Sequence, residues 1–251
     1  MNQTGEGVTS SMRRSPWEIC YRGVQELRVI DISDPYVAWL RLANAGMVHR
    51  GNLYCIDYAI RHLPSSAPIL EIGSFCGLST NLITYYKERH QAKNRVIACD
   101  KWVFEGAEEG QVGGHPSLHH DEFRALVRES YLRNVRLFSA QDLPYTVEMT
   151  SDEFFEAWRA RLRATELFGR ELSLGGPLSF CYIDGNHTYE FVRRDVEQCD
   201  RHLEPGGFLF LDDSGRGSPF PGVHRVVQET RKTGRYAVIA QNPHVLLQKK
   251  R

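Results

Sequence analysis

Apolar positions along the chain recur with two different periods, and each change of period marks a new element. Between residues 17 and 63 the spacing is helical: Tyr36, Trp39, Leu40 and Ala43 stand three or four apart, and Ile56, Ala59, Ile60 and Leu63 do so after a Gly51-Asn52 break. This predicts a helical prelude. At Pro68 the pattern shortens to the apolar run Ile69-Leu70-Glu71-Ile72, a strand, followed by a Gly73-Ser74-Phe75-Cys76-Gly77 turn and a helix over Leu78–His90. Arg95–Cys99 reads as a second strand, so residues 69–100 make a βαβ unit with parallel strands.

Residues 101–120 are Gly-rich and aperiodic, the profile of a functional loop, and predict a lid over the site. A helix over Asp121–Asn134 and a third strand over Val135–Phe138 come next. Residues 150–176 form an insertion with a charged helix over Ser151–Thr165. Strand four is Leu178–Ile183, a helix covers Tyr189–Leu203, and strand five is Phe208–Leu211 after the Glu204-Pro205-Gly206-Gly207 stop. A last helix over Val223–Lys232 leads to a terminal hairpin, Tyr236–Ala240 with Val245–Leu247. The expected fold is α/β: a doubly wound, seven-stranded, Rossmann-like sheet, mostly parallel, closed by an antiparallel hairpin. Residues 1–16 read as a flexible tail and 17–251 as one domain.

Composition narrows the class. With 251 residues, 41% hydrophobic and 25% charged, the chain can bury a large core. Its 31 basic and 31 acidic side chains balance, which predicts no general attraction to nucleic acid or anionic membrane. There is no run of 18 apolar residues, and the N-terminus has no apolar signal core. The six cysteines, Cys20, Cys55, Cys76, Cys99, Cys181 and Cys199, lack zinc-site spacing and read as reduced thiols of a cytoplasmic protein.

The chemistry gathers at strand ends. Ligands of open α/β sheets bind beyond the carboxyl ends of the strands, and Asp100, Asp184, Asp212 and Asp213 all stand there. Any one of them could instead cap a helix or start a turn. The Gly73-to-Gly77 turn lets backbone approach a ligand, but Phe75 replaces the glycine that a dinucleotide fingerprint would carry, so a cofactor without a phosphate cradle fits better. Asp100 suits a ribose diol of either NAD or an adenosine-type ligand. Trp102 offers a face for adenine or a cover for the sheet edge.

Taken in order, Glu71-x-Gly73-x-x-x-Gly77, Asp100, Tyr182-Ile183-Asp184-Gly185-Asn186-His187 and Pro205-Gly206-Gly207 running into Asp212-Asp213 resemble a class I S-adenosylmethionine-dependent methyltransferase. The likeness is greatest to the branch of metal-dependent small-molecule and sugar O-methyltransferases, and it spans about residues 45–250. It implies that Gly73, Ser74 and Gly77 line the methionine part of the cofactor, with Glu71 orienting that loop. It also implies that Asp100 holds the ribose hydroxyls, and that Gln141 or Asp142, the better match, contacts adenine. Asp184, Asp212 and Asp213 match the triad that holds a divalent ion; catechol-type relatives often carry Asn at the third position. His187 matches a histidine proposed as general base in sugar-modifying relatives, and Asp184 shares the catalytic role; a helix-leading histidine bonded to backbone or solvent is the bland alternative.

The physical logic agrees with the resemblance. An alcohol attacks a sulfonium methyl only as its proton leaves, and a hard cation held by carboxylates lowers the pKa of a bound hydroxyl. All-oxygen ligands favour Mg²⁺. The implied activity is methyl transfer from S-adenosylmethionine to a hydroxyl of a small molecule, with no nucleic-acid or membrane partner and homo-oligomerisation left open. A cofactor-binding scaffold without activity and a nicotinamide-dependent oxidoreductase are the rival readings.

Overall fold

The computed structural model describes residues 33–104, 112 and 117–250. The expected tail, residues 17–32 of the prelude, Cys20 and most of the expected lid lie outside the described residues. Helices α1 (Pro35–Ala43) and α2 (Arg50–Arg61) precede β1 (Ile69–Ile72), α3 (Leu78–Arg89) and β2 (Val96–Cys99). Helix α1 starts where Asp34 accepts hydrogen bonds from the N–H groups of Tyr36 (3.0 Å) and Val37 (3.2 Å). The other Asp34 oxygen accepts from the Tyr85 hydroxyl (2.7 Å) and Arg89 (2.5 Å), which ties α1 to α3.

Then come α4 (His120–Phe138), β3 (Tyr145–Val147) and α5 (Ser151–Arg159). Two sequence expectations fail here. Val135–Phe138 is the last turn of α4 and not a strand, because Val127, Tyr131 and Val135 form one buried helical stripe while Leu137 points to solvent. A four-residue apolar run fits either period, and packing decided it. The charged helix ends at Arg159 rather than Thr165. Arg161 takes a left-handed φ of 53°, and the chain turns into a small hairpin of β4 (Arg163–Thr165) and β5 (Glu171–Ser173), which buries Leu172.

Strand β6 (Leu178–Ile183), α6 (Tyr189–His202), β7 (Leu203–Leu211), α7 (Pro221–Lys232), β8 (Tyr236–Gln241) and β9 (Val245–Lys249) complete the chain. Seven strands form one sheet in the order β3-β2-β1-β6-β7-β9-β8; β9 runs antiparallel to both its neighbours, and the other pairings are parallel. Strand residues alternate between two cores. Leu70, Ile72, Cys181 and Leu209 face α5, α6 and α7, whereas Ile69, Phe180, Tyr182 and Phe210 face α1, α2 and α3. Among the described residues no helix is long and apolar enough to cross a membrane. The five described cysteines are free and buried, and burial pushes the thiols of Cys76 and Cys55 up to about 11 and about 12.

Register is what builds the site. Ile72 pairs with both Cys99 and Ile183, and Ile183 pairs with Leu211. The next residue of each strand therefore falls in one row, Gly73, Asp100, Asp184 and Asp212, at the edge where the crossover direction reverses between β1 and β6.

Candidate active site

The row is held by backbone hydrogen bonds that continue one residue past the strands: Gly73 N–H to Cys99 O (3.1 Å), Asp184 N–H to Ile72 O (2.8 Å) and Asp212 N–H to Ile183 O (3.0 Å). Gly73 has φ +83°, and a Cβ there would sit 2.0 Å from the Asp184 carbonyl oxygen. Only glycine lets β1 pass so close to the end of β6. Asp100 Oδ2 accepts from the N–H groups of Ser74 (2.7 Å) and Phe75 (3.1 Å), and Oδ1 accepts from Trp102 N–H (2.7 Å). The carboxylate thus grips the glycine turn first. Burial raises its pKa against the pull of those donors. Glu71, fully buried behind the turn, accepts from the Thr80 hydroxyl at 2.5 Å, and burial pushes it up to about 7. Gly77, at φ +88°, starts α3. A shallow cleft opens between this turn, residues 46–48 and Asp184.

Trp102 stays beside this turn with its ring buried, whereas Gln141 and Asp142 lie away from it. Trp102 is 1% exposed, packed on Tyr131, with its Nε1–H donated to Phe75 O (3.0 Å); it covers the sheet and leaves no ring face open for adenine. Gln141 and Asp142 precede β3 instead of following it, because α4 runs on through Phe138. Asp142 consequently lies toward the amino ends of the strands, ion-paired with Lys87 near the end of α3, on the edge opposite the glycine turn.

On the other side of Asp184 the acidic residues divide into two kinds. Asp212 is buried and saturated. Asn52 Nδ2 donates to both its oxygens (2.8 and 2.9 Å), Asp213 N–H (2.8 Å) and His244 Nδ1 meet Oδ1, and the Tyr182 hydroxyl meets Oδ2. Burial opposes the charge, yet His244, Tyr182 and Asn52 hold this carboxyl well below the usual range. Asp184 and Asp213 are partly open. His187 Nε2 lies 3.2 Å from Asp213 Oδ2 and 3.8 Å from Asp184 Oδ1, its ring stacked on Phe220 at 3.9 Å. Burial and the neighbouring Asp212 push Asp184 well above the usual carboxylate range, with Asp213 adding to the effect and His187 opposing it. Asp213 takes a left-handed φ of 52°, fixed by its N–H bond to Asp212.

The structure thus brings Glu71, Gly73, Ser74, Gly77, Asp100, Asp184, His187, Asp212 and Asp213 to one edge, and leaves Asp142 off it. It adds Asn52, His49 and His244, which sequence reasoning missed. The His49 and His244 rings stand 5.7 Å apart, and burial together with His244 lowers the pKa of His49. No local signal marks these residues: Asn52 appears only as a break before a helix, and His244 as one residue of a hairpin turn.

The whole is a Rossmann-like sheet with a glycine turn after β1 and aspartates directly after β2, β6 and β7. A methyltransferase domain family model matches residues 70–214, over half of the chain, and the protein belongs to that family. Among solved structures, the O-methyltransferase TomG of Streptomyces achromogenes, involved in tomaymycin synthesis and solved with S-adenosylmethionine, aligns at TM-score 0.54. It has 11% identity, over 88% of this chain and 92% of its own. An O-methyltransferase from Bacillus cereus with S-adenosylhomocysteine aligns at 0.52 and 13%, over 89% and 94%. The calicheamicin methyltransferase CalS11 aligns at 0.53 and 14%, over 90% and 97%. These identities speak to fold. No curated protein matches the chain.

Proposed function

We propose that the protein transfers a methyl group from S-adenosylmethionine to a hydroxyl of a small molecule of the natural-product or sugar type. The observation that carries this reading is the contact of the Gly73 turn with the Asp184 backbone, which sets a cofactor cleft directly against a carboxylate–imidazole group. The cleft suits the cofactor, because the Gly73-Ser74-Phe75 turn and the start of α3 at Leu78 and Ser79 line it beside Asp184. When bound there, S-adenosylmethionine supplies an electrophilic methyl on a sulfonium.

The chain's own residues do the rest. Gly73, Ser74 and Gly77 line the cofactor, Asp100 holds their turn in shape and presents its outer edge to the ribose, and Glu71 supports the turn from behind. The acceptor hydroxyl lies beside Asp184, where His187 and Asp213 complete the group that disposes of its proton; a positioned general base contributes about 10²–10⁴ in rate. An Mg²⁺ ion on Asp184, Asp212 and Asp213 together does not fit, because the hydrogen bonds to Asp212 already occupy both of its oxygens.

Calorimetric titration with S-adenosylhomocysteine in EDTA, followed by a screen of sugars and phenols with methyl-labelled donor, tests the reading. Micromolar binding and label in a hydroxyl acceptor support it. Absence of binding, or label delivered only to nitrogen or carbon, overturns it.

A further inference from the structure

Asp184, His187 and Asp213 come from three separate places in the fold: the end of β6, the loop before α6 and the end of β7. Their donor atoms lie within 4.8 Å of one another, as do those of Asp212, Asp213 and His244, but in that second group His244 Nδ1 is already engaged with Asp212. Ligands about 2.1 Å from one cation, at the right angles of an octahedron, stand roughly 3 Å apart. The His187 Nε2 distances of 3.2 Å to Asp213 and 3.8 Å to Asp184 are already close to that spacing.

Two carboxylates face one another here. Among the described residues no lysine or arginine pairs with either, and their ionic neighbours are His187 and His244. Phe220 fixes the plane of the His187 ring, and the left-handed backbone of Asp213 turns its carboxylate toward that ring. Asp212 differs in kind: five hydrogen-bonding contacts from Asn52, Asp213, His244 and Tyr182 commit it to holding this corner together.

We infer that the cation site of this protein is Asp184, His187 and Asp213, with Asp212 outside the ligand set, and that it takes a first-row transition-metal dication such as Mn²⁺ in preference to Mg²⁺. An imidazole nitrogen favours first-row transition-metal dications over Mg²⁺, which takes oxygen ligands, and Mn²⁺ is the member of that series whose bound nitrogen is read directly by paramagnetic resonance. The inference rests on the methyl-transfer reading for its relevance and changes one role in it: with Nε2 on the cation, the proton of the acceptor hydroxyl would pass to a carboxylate rather than to His187; metal binding itself is measured without methyl transfer.

The chelator-treated full chain is titrated with MnCl₂ and with MgCl₂, and bound Mn²⁺ is examined by pulsed electron paramagnetic resonance for coupling to ¹⁴N. Mn²⁺ is expected to bind at least about tenfold more tightly than Mg²⁺ and to show directly bound imidazole nitrogen. His187→Gln should abolish the nitrogen coupling and weaken Mn²⁺ at least about tenfold, with Mg²⁺ affected far less. Failure of Mn²⁺ to saturate a site, bound Mn²⁺ without nitrogen coupling, or coupling that survives in His187→Gln each overturns the assignment; the last would point to His244. S-adenosylhomocysteine binding in the same buffers separates the two readings. Cofactor binding without Mn²⁺–nitrogen coupling overturns only the cation site, and the reverse overturns only methyl transfer.

Discussion

Replacing Gly73 by alanine tests the contact on which the site depends. The added Cβ would lie 2.0 Å from the Asp184 carbonyl oxygen, 2.5 Å from its carbon and 2.9 Å from Gly185 Cα. All three are backbone atoms, so no side chain can swing aside. Restoring an ordinary contact of 3.4 Å needs a shift of about 1.4 Å between the ends of β1 and β6, against the 2.8 Å bond from Asp184 N–H to Ile72 O. The left-handed backbone costs an alanine about 1–2 kcal/mol, and overpacking adds about 1–3 kcal/mol. The expected loss is therefore about 2–5 kcal/mol, a fall in Tm of about 4–20 °C for a chain of this size. Gly169→Ala separates the two parts, since Gly169 has φ +81° and nothing within 4 Å of its Cβ; it should lose only the backbone share, about 1–2 kcal/mol. Urea unfolding in EDTA gives both numbers, and titration with S-adenosylhomocysteine should show affinity reduced at least about tenfold in Gly73→Ala alone, since a displacement of this size at a site is costly. Equal stability of the two variants, with cofactor affinity retained, would refute the close-approach argument.

Three further outcomes follow from the geometry. Asp142→Ala should destabilise the fold by about 1–3 kcal/mol, because it strands the Lys87 ammonium, 6% exposed, beside a partner that is itself partly screened; its affinity for S-adenosylhomocysteine should stay at the wild-type value, and a tenfold loss would return Asp142 to the cofactor site. Trp102→Phe loses the hydrogen bond to Phe75 O and part of a packed ring, about 1–2 kcal/mol by urea unfolding, with cofactor affinity changed less than about threefold; a larger change would make the ring an adenine platform after all. Burial disfavours the charged form of His244, but Asp212 outweighs it and raises the pKa. The stability from that pair is fully present below the unfolded value of about 6.5 and is lost as pH rises through the raised folded value. In EDTA, the gap in urea midpoint between wild type and His244→Gln should accordingly narrow from pH 6 toward pH 9, and a gap that is constant or widens contradicts the pairing.

Much of the site was legible because its parts announce themselves locally. The apolar run at 69–72 can bury both faces only in a parallel sheet, the glycines at 73 and 77 punctuate a strand-to-helix turn, and an aspartate directly after an apolar strand stands at its carboxyl end wherever the strand lies. The row Gly73, Asp100, Asp184, Asp212 joins four such strand ends once the parallel pairing brings them level. The errors are of one type. Val135–Phe138 satisfies a strand and a helix equally, and only the packing of Val135 against the Cys76–Trp102 cluster made it helical; that moved β3 ten residues on and carried Asp142 to the opposite edge.

Asn52 and His244 could not have been found in this way. They meet Asp212 from 160 and 32 residues away, through the prelude helix and the terminal hairpin, and nothing in their neighbours requires it. Three adjacent-looking aspartates had equal claims as ligands from their positions in the chain. Their environments separate them, since Asp212 turns inward to Asn52, Tyr182 and His244 while Asp184 and Asp213 face His187. Local pattern sets which backbone row a residue joins; which way its side chain faces, and what it meets there, depends on contacts between distant segments that exist only once the sheet has closed.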